Sequence, residues 1–144
     1  MDMVLSRDKN KRNLCIILDT NFLFVPYLFK IDILDEFYNI INTSFEILIL
    51  KDSIEELKRK LMNIKSEKQR KEIEMALEYA KNFKVIDVDF NKSLSVDDKI
   101  VEFALLNNCI VATNDKELRK KLKRLGIPII CVRGKKYLTI YGYY

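Results

Sequence analysis

Short runs of apolar residues without polar interruption constrain this chain most: Leu14-Cys15-Ile16-Ile17-Leu18, Ile47-Leu48-Ile49-Leu50 after Glu46, Cys109-Ile110-Val111-Ala112-Thr113, and Ile129-Ile130-Cys131-Val132 after Pro128. A strand with one wet face alternates apolar and polar residues, whereas a run of this kind is buried on both faces. A less apolar run, Val85-Ile86-Asp87-Val88, reads as a further strand. Between these runs the apolar residues recur at helical spacing: Ile33, Leu34, Phe37, Ile40 and Ile41; Ile54, Leu57 and Leu61; Ile73, Ala76, Leu77 and Ala80; Ile100, Val101, Ala104 and Leu105. Strands that alternate with helices pair in parallel through right-handed crossovers, with helices on both faces. The expected architecture is a three-layer α/β sandwich, with a central and mainly parallel five-stranded sheet flanked by helices. Tyr137 to Tyr141 is read as an added edge strand.

Helix boundaries follow from residues that satisfy free backbone groups. Asp52 or Ser53 is expected to cap a helix beginning near Ile54, which puts Glu55 and Glu56 in its first turn. Ser95 with Asp98 three residues on forms an approximate capping box, and Gly126 closes the basic segment from Lys116 to Leu125. With 144 residues, of which 49% are hydrophobic, the chain suits one domain over 1–144, and residues 1–12 are expected to be flexible. No apolar stretch is long enough to span a bilayer and the N-terminus lacks a signal-peptide core, so the expected location is the cytoplasm. Cys15, Cys109 and Cys131 lie in strand-like runs without metal-binding spacing and are expected to be buried, reduced thiols.

The sequence contains no histidine, which excludes Ser-His, Cys-His and His-metal chemistry and leaves carboxylates as the reactive groups. Asp19 ends the most apolar run, and Asn21 adds an oxygen donor two residues later. Glu56 lies at the margin of a buried helical stripe. Asp97 shares a face with Val101 and Ala104, and Asp98 lies on the neighbouring stripe. Asp115 follows Thr113-Asn114 at a strand end. Each has a plain structural alternative as a cap or a partner of a helix dipole. Taken together they fall where an open α/β sheet places its site. Several ionised carboxylates at close range repel unless a cation lies among them, and an oxygen-only donor set suits Mg²⁺ or Mn²⁺. Such ions would activate water against a phosphodiester.

The net charge of +5 conceals a local excess. Lys116, Arg119, Lys120, Lys121, Lys123, Arg124, Arg133, Lys135 and Lys136 face the lone acid Glu117 between positions 116 and 136, which favours a polyanionic partner. Aromatic residues are few along that stretch of sequence, which argues against a stacking platform there. A dinucleotide-binding loop is excluded, because the chain has only three glycines and the first strand leads into Asp-Thr-Asn-Phe. A receiver-type phosphoryl-transfer site is disfavoured, because Asp19-Thr20-Asn21 lacks a second aspartate and no lysine ends the fifth strand.

At Ile16-Ile17-Leu18-Asp19-Thr20-Asn21, Ile54-Glu55-Glu56-Leu57-Lys58, Asp97-Asp98-Lys99-Ile100-Val101 and Val111-Ala112-Thr113-Asn114-Asp115-Lys116-Glu117-Leu118, the chain resembles the PIN-domain ribonucleases over nearly its whole length. It is most similar to archaeal members akin to the Fcf1/Utp24 ribosomal-RNA processing nucleases, with VapC-type toxins as the sister group. The resemblance implies that Asp19, Glu56, Asp97 and Asp115 ligate Mg²⁺ or Mn²⁺, with Asp98 an alternative or additional ligand, and that Asn21, Thr113 and Asn114 shape the site. It implies an RNA substrate, single-stranded or a structured precursor, drawn in by Lys116, Arg119, Lys120, Lys123 and Arg124. It further implies homodimers and a protein partner that is either a ribosome-assembly factor or an antitoxin. A non-catalytic RNA-binding or assembly module is the competing reading.

Overall fold

The computed structural model describes residues 13–88 and 94–142. The chain runs β1 (Leu14–Leu18), a 3-10 turn (Thr20–Phe24), α1 (Val25–Phe29), α2 (Ile33–Ile40), β2 (Phe45–Leu50), α3 (Lys51–Asn63), α4 (Glu67–Ala80), β3 (Lys84–Ile86), α5 (Val96–Asn107), β4 (Ile110–Ala112), α6 (Lys116–Arg124), β5 (Ile129–Arg133) and β6 (Tyr137–Tyr141). The strands form one sheet in the order β3-β2-β1-β4-β5-β6. All neighbours are parallel except β5 and β6, which pair antiparallel with Ile129 opposite Tyr141. The mainly parallel three-layer architecture is as expected, but the sheet has six strands rather than five because the Tyr137–Tyr141 edge strand is fully paired. The expected flexible residues 1–12 lie outside those described, as does most of the expected loop from Asn91 to Leu94.

The two-sided burial of the strands divides their side chains between two cores. Ile16 and Leu18 of β1, Ile47 and Ile49 of β2, and Ile110 and Ala112 of β4 face Phe22, Leu23, Phe37, Leu57, Ile73 and Ala76, and so lie under the 3-10 turn and α2 to α4. Ile17, Leu48, Leu50, Val111 and Ile129 face the opposite way, onto Ile100, Phe103 and Ala104 of α5 and Leu118 and Leu122 of α6. A strand places successive side chains on opposite faces, so an unbroken apolar run is what a sheet covered twice requires.

Two expectations about local structure are corrected. Helix α3 begins at Lys51 immediately after β2, with Leu50 at the N-cap and no side-chain cap, so neither Asp52 nor Ser53 starts it and Glu56 falls in the second turn. The strand feeds directly into the helix, and Ser53 is drawn into the core at 0% exposure. Cys15 and Cys109 form a disulfide, while Cys131 alone is a buried free thiol. The register of β1 on β4, Ile16 opposite Ile110, sets the two preceding cysteines beside each other with Cα atoms 4.5 Å apart. That separation lies within the range a disulfide bridges. The Ser95 cap behaves as read, its hydroxyl accepting from the Asp98 N–H at 3.1 Å. Gly126 takes the left-handed φ of 74° that ends α6. No helix among the described residues is long and apolar enough to cross a membrane.

Candidate active site

The strand order turns outward in both directions from β1 and β4. At such a switch point the helices following the two strands leave on opposite faces, opening a crevice at the strands' carboxyl ends. Asp19 follows β1 into that crevice and Thr113 follows β4, and the register Leu18 opposite Ala112 makes them neighbours. The Asp19 N–H donates to the Ala112 carbonyl at 2.9 Å, and the Thr113 hydroxyl donates to Asp19 Oδ2 at 2.8 Å. Asp19 Oδ1 accepts from the Thr20 N–H at 2.8 Å. Both carboxylate oxygens are thus held, and the residue is 6% exposed.

Thr113 also accepts from the Asp115 N–H at 3.1 Å, so one hydroxyl joins two of the acidic segments. With its proton committed to Asp19, the hydroxyl fixes the Asp19 carboxylate to the Asp115 backbone. Asp115 is itself the N-cap of α6, its Oδ1 accepting from the Leu118 N–H at 3.0 Å. Asn114 does not cap that helix. Its Oδ1 accepts from the Val132 N–H at 2.8 Å and ties the β4 exit to β5. Asn21 lies exposed on the 3-10 turn.

The helix-borne acids complete the field. Burial pushes the Asp19 carboxyl up to about 6, and Asp97 and Asp115 add to that rise against the opposing hydrogen bonds from Thr113 and Thr20. Asp97 is likewise held above the ordinary carboxylate range, first by burial and then by Asp115 and Glu56. Asp98 differs from its neighbour. Its carboxylate accepts from Lys121 Nζ at 2.8 Å, and this contact with that from Ser95 holds it below the usual range. The two adjacent aspartates therefore divide, Asp97 toward the other acids and Asp98 toward α6. Asp19, Glu56, Asp97 and Asp115 come from four separate segments: Asp97 and Asp115 act on Asp19, and Asp115 and Glu56 act on Asp97.

These acids do not form a closed coordination shell: among the described residues no three lie so as to hold one metal ion together. The donor set nevertheless fits a hard divalent cation, being all oxygen, and the Thr20 hydroxyl beside Asp19 is buried without a hydrogen-bond partner among the described residues. Glu56 and Asp97 are half-buried, and no hydrogen bond fixes their carboxylates among the described residues, so rotation about their side-chain bonds can bring them in.

The chain matches the PIN like domain family (PIN_9) over residues 16–135. It belongs to that family. Ribonuclease VapC4 of Methanocaldococcus jannaschii is 42% identical over 130 residues, covering 88% of this chain and 96% of the relative. Ribonuclease VapC9 of Archaeoglobus fulgidus is 31% identical over 138 residues, covering 96% and 97%. Among solved structures, the PIN domain endonuclease Utp24 superposes with a TM-score of 0.71 at 26% identity over 90% of this chain and 92% of that one. A domain of a functionally unknown protein from Methanocaldococcus jannaschii shares the fold, with a TM-score of 0.56 at 20% identity over 84% and 92%. The PIN-like family read from the four acidic motifs is thereby borne out.

Beside the acids, this PIN-like fold holds a pair that sequence reasoning missed. Lys99 of α5 is 9% exposed and its ammonium bonds directly to Asp52 Oδ2 of α3. Asp52 precedes Glu56 by one helical turn, and Lys99 follows Asp97 by two residues, so the pair clamps together the helix starts that carry two of the acids. The available signal was the helical spacing of Asp52 and Glu56, which is informative only once α3 is known to begin at Lys51.

Proposed function

We propose that this chain is a single PIN-like nuclease domain that hydrolyses RNA phosphodiester bonds as a divalent-metal-dependent endoribonuclease. The observation that supports this best is that Thr113 ties Asp19 to the Asp115 backbone at the switch-point crevice, with Asp97 near enough to act on Asp19 and Glu56 near enough to act on Asp97. A buried Asp19 and a half-buried Asp97, each held above the ordinary carboxylate range by burial and by neighbouring acids, are a costly arrangement for structure alone, and a bound cation reverses that cost. Asp19, Asp97, Asp115 and Glu56 would hold Mg²⁺ or Mn²⁺, with Asp98 withdrawn from the set by Lys121. The cation supplies Lewis acidity toward the phosphodiester and a more acidic water. Thr113 holds Asp19 and the start of α6 in register, so that on binding Glu56 and Asp97 turn in toward carboxylates already held.

The names of the relatives support the ribonuclease reading, and the 42% and 31% identical proteins named VapC favour the toxin setting over ribosomal-RNA processing. In that setting the protein partner is an antitoxin and the site of action is the cytoplasm. The likeness to Utp24 is what supports the processing alternative. A non-catalytic module is disfavoured because every acid of the constellation is present. The test is cleavage of single-stranded RNA with and without Mn²⁺. Asp19→Asn and Asp97→Asn are each expected to lower the metal-dependent rate by at least about 100-fold. Equal cleavage by wild type and both variants would reject the assignment.

A further inference from the structure

Helix α6 leads away from Asp115 with its cations on an outer face, and the antiparallel strand β6 brings Tyr141 against that face. Lys116, Arg119, Lys120, Lys123, Ile129 and Tyr141 line a groove of about 370 Å³, within the range of small-ligand sites. From Lys116 to Lys123 the helix axis advances about 10 Å, so the groove starts beside the carboxylate crevice and runs toward the opposite end of the sheet. No acid pairs with Lys116, Arg119 or Lys123 among the described residues, and Lys120 meets Glu117 only through a mostly exposed contact of 3.6 Å. Arg119 Nη1 lies 3.7 Å from Cys131 Sγ, and its buried Nε has no hydrogen-bond partner among the described residues. The Lys123 ammonium lies 5.8 Å from the centre of the Tyr141 ring, and that tyrosine is 42% exposed.

The linear sequence argued against an aromatic platform here, because Tyr141 is remote from α6 along the chain. Pairing of Tyr141 with Ile129 removes that objection. A row of cations, of which only Lys120 meets an acid among the described residues, with an aromatic ring on an apolar floor is the combination that tracks a nucleic-acid backbone and stacks a base. An acidic protein segment would need the cations but not the ring.

We propose that this groove is a nucleotide subsite for single-stranded RNA, in which backbone phosphates lie along Lys116, Arg119, Lys120 and Lys123 and a base stacks on Tyr141. The proposal rests on the ribonuclease reading for its ligand and deepens it: the substrate is a strand that extends from the carboxylates along α6. Arg124, expected among the RNA contacts, is not part of this groove.

The experiment is fluorescence anisotropy with a labelled single-stranded RNA dodecamer and the full chain in EDTA, so that binding is read without cleavage. Tyr141→Ala is expected to weaken binding about tenfold and Tyr141→Phe to restore it to within about twofold of wild type. Lys116→Gln with Lys123→Gln is expected to flatten the dependence of log affinity on log salt by about 1.4, or about 0.7 per phosphate contact. An abasic substitution walked along the dodecamer is expected to cost wild type about tenfold at one position and Tyr141→Ala nothing further there. If Tyr141→Ala or Tyr141→Phe is poorly folded by circular dichroism, the abasic walk on wild type still decides. Affinities and salt slopes unchanged in the groove variants, or no abasic position costing more than twofold, would overturn the subsite, and the groove would then suit a protein partner. Loss of the groove effects with Mn²⁺-dependent cleavage intact rejects the subsite alone. Groove effects present with cleavage never observed reject the nuclease reading alone.

Discussion

Replacing Asp19 by Asn should make the metal-free protein more stable at neutral pH while abolishing its activity. A carboxyl whose proton affinity rises on folding contributes stability that is fully present below its ordinary value of 3.8 and is lost as pH climbs through about 6. At pH 7.5 the loss is complete, and a rise of that size corresponds to about 3 kcal/mol. Asn carries no charge to desolvate, and its Oδ1 can keep the Thr20 N–H, but its amide nitrogen, unlike a neutral carboxyl oxygen, cannot accept from the Thr113 hydroxyl, which costs about 1 kcal/mol. The net gain is about 2 kcal/mol, or roughly 4–8 °C in Tm for a chain of this size. The assay is thermal unfolding of both proteins in EDTA from pH 4 to pH 8. The difference should be small near pH 4, grow through pH 6 and level off by pH 7.5, and added Mn²⁺ should raise the Tm of wild type more than that of the variant. A difference independent of pH, or a variant less stable than wild type at pH 7.5, would refute the claim that burial strains this carboxylate.

Asp98→Asn should lower Mn²⁺-dependent cleavage less than tenfold while Asp97→Asn removes it, since Lys121 already engages Asp98; equal losses in a single-turnover assay would return both aspartates to the site. Thiol titration in denaturant should find one reactive thiol before reduction and three after, and reduction should lower stability by about 2–4 kcal/mol in urea melts, given the 94-residue separation of Cys15 and Cys109. Three thiols before reduction would remove the disulfide. Lys99→Met strands Asp52 in a largely buried position and should cost about 3 kcal/mol, with much of that recovered when Asp52→Leu is added; additive losses in urea melts would show that the two residues do not act as a pair.

Much of the fold was legible because it depends on short-range pattern. β1 begins and ends where the apolar run does, and α5 starts from the cap offered by Ser95. The beginning of α3 was not legible. Asp52 and Ser53 are good caps, but the strand before them continues straight into the helix and the core claims Ser53. The acidic motifs could be found in sequence, yet the roles of Thr113 and Asn114 could not, because both are set by partners from other strands: Asp19 of β1's exit for the one, Val132 of β5 for the other.

By itself the sequence determined that strands covered on both faces alternate with amphipathic helices, that no imidazole is available for metal, and that positive charge gathers after Asp115. Tertiary structure alone decided which strands are neighbours, and with that the Cys15–Cys109 bond, the Thr113 link to Asp19, the separate fates of Asp97 and Asp98, and the meeting of Tyr141 with α6. The reason is physical: periodicity records which face of an element is buried, whereas the identity of its neighbour depends on sheet order and register, which no local run of residues encodes.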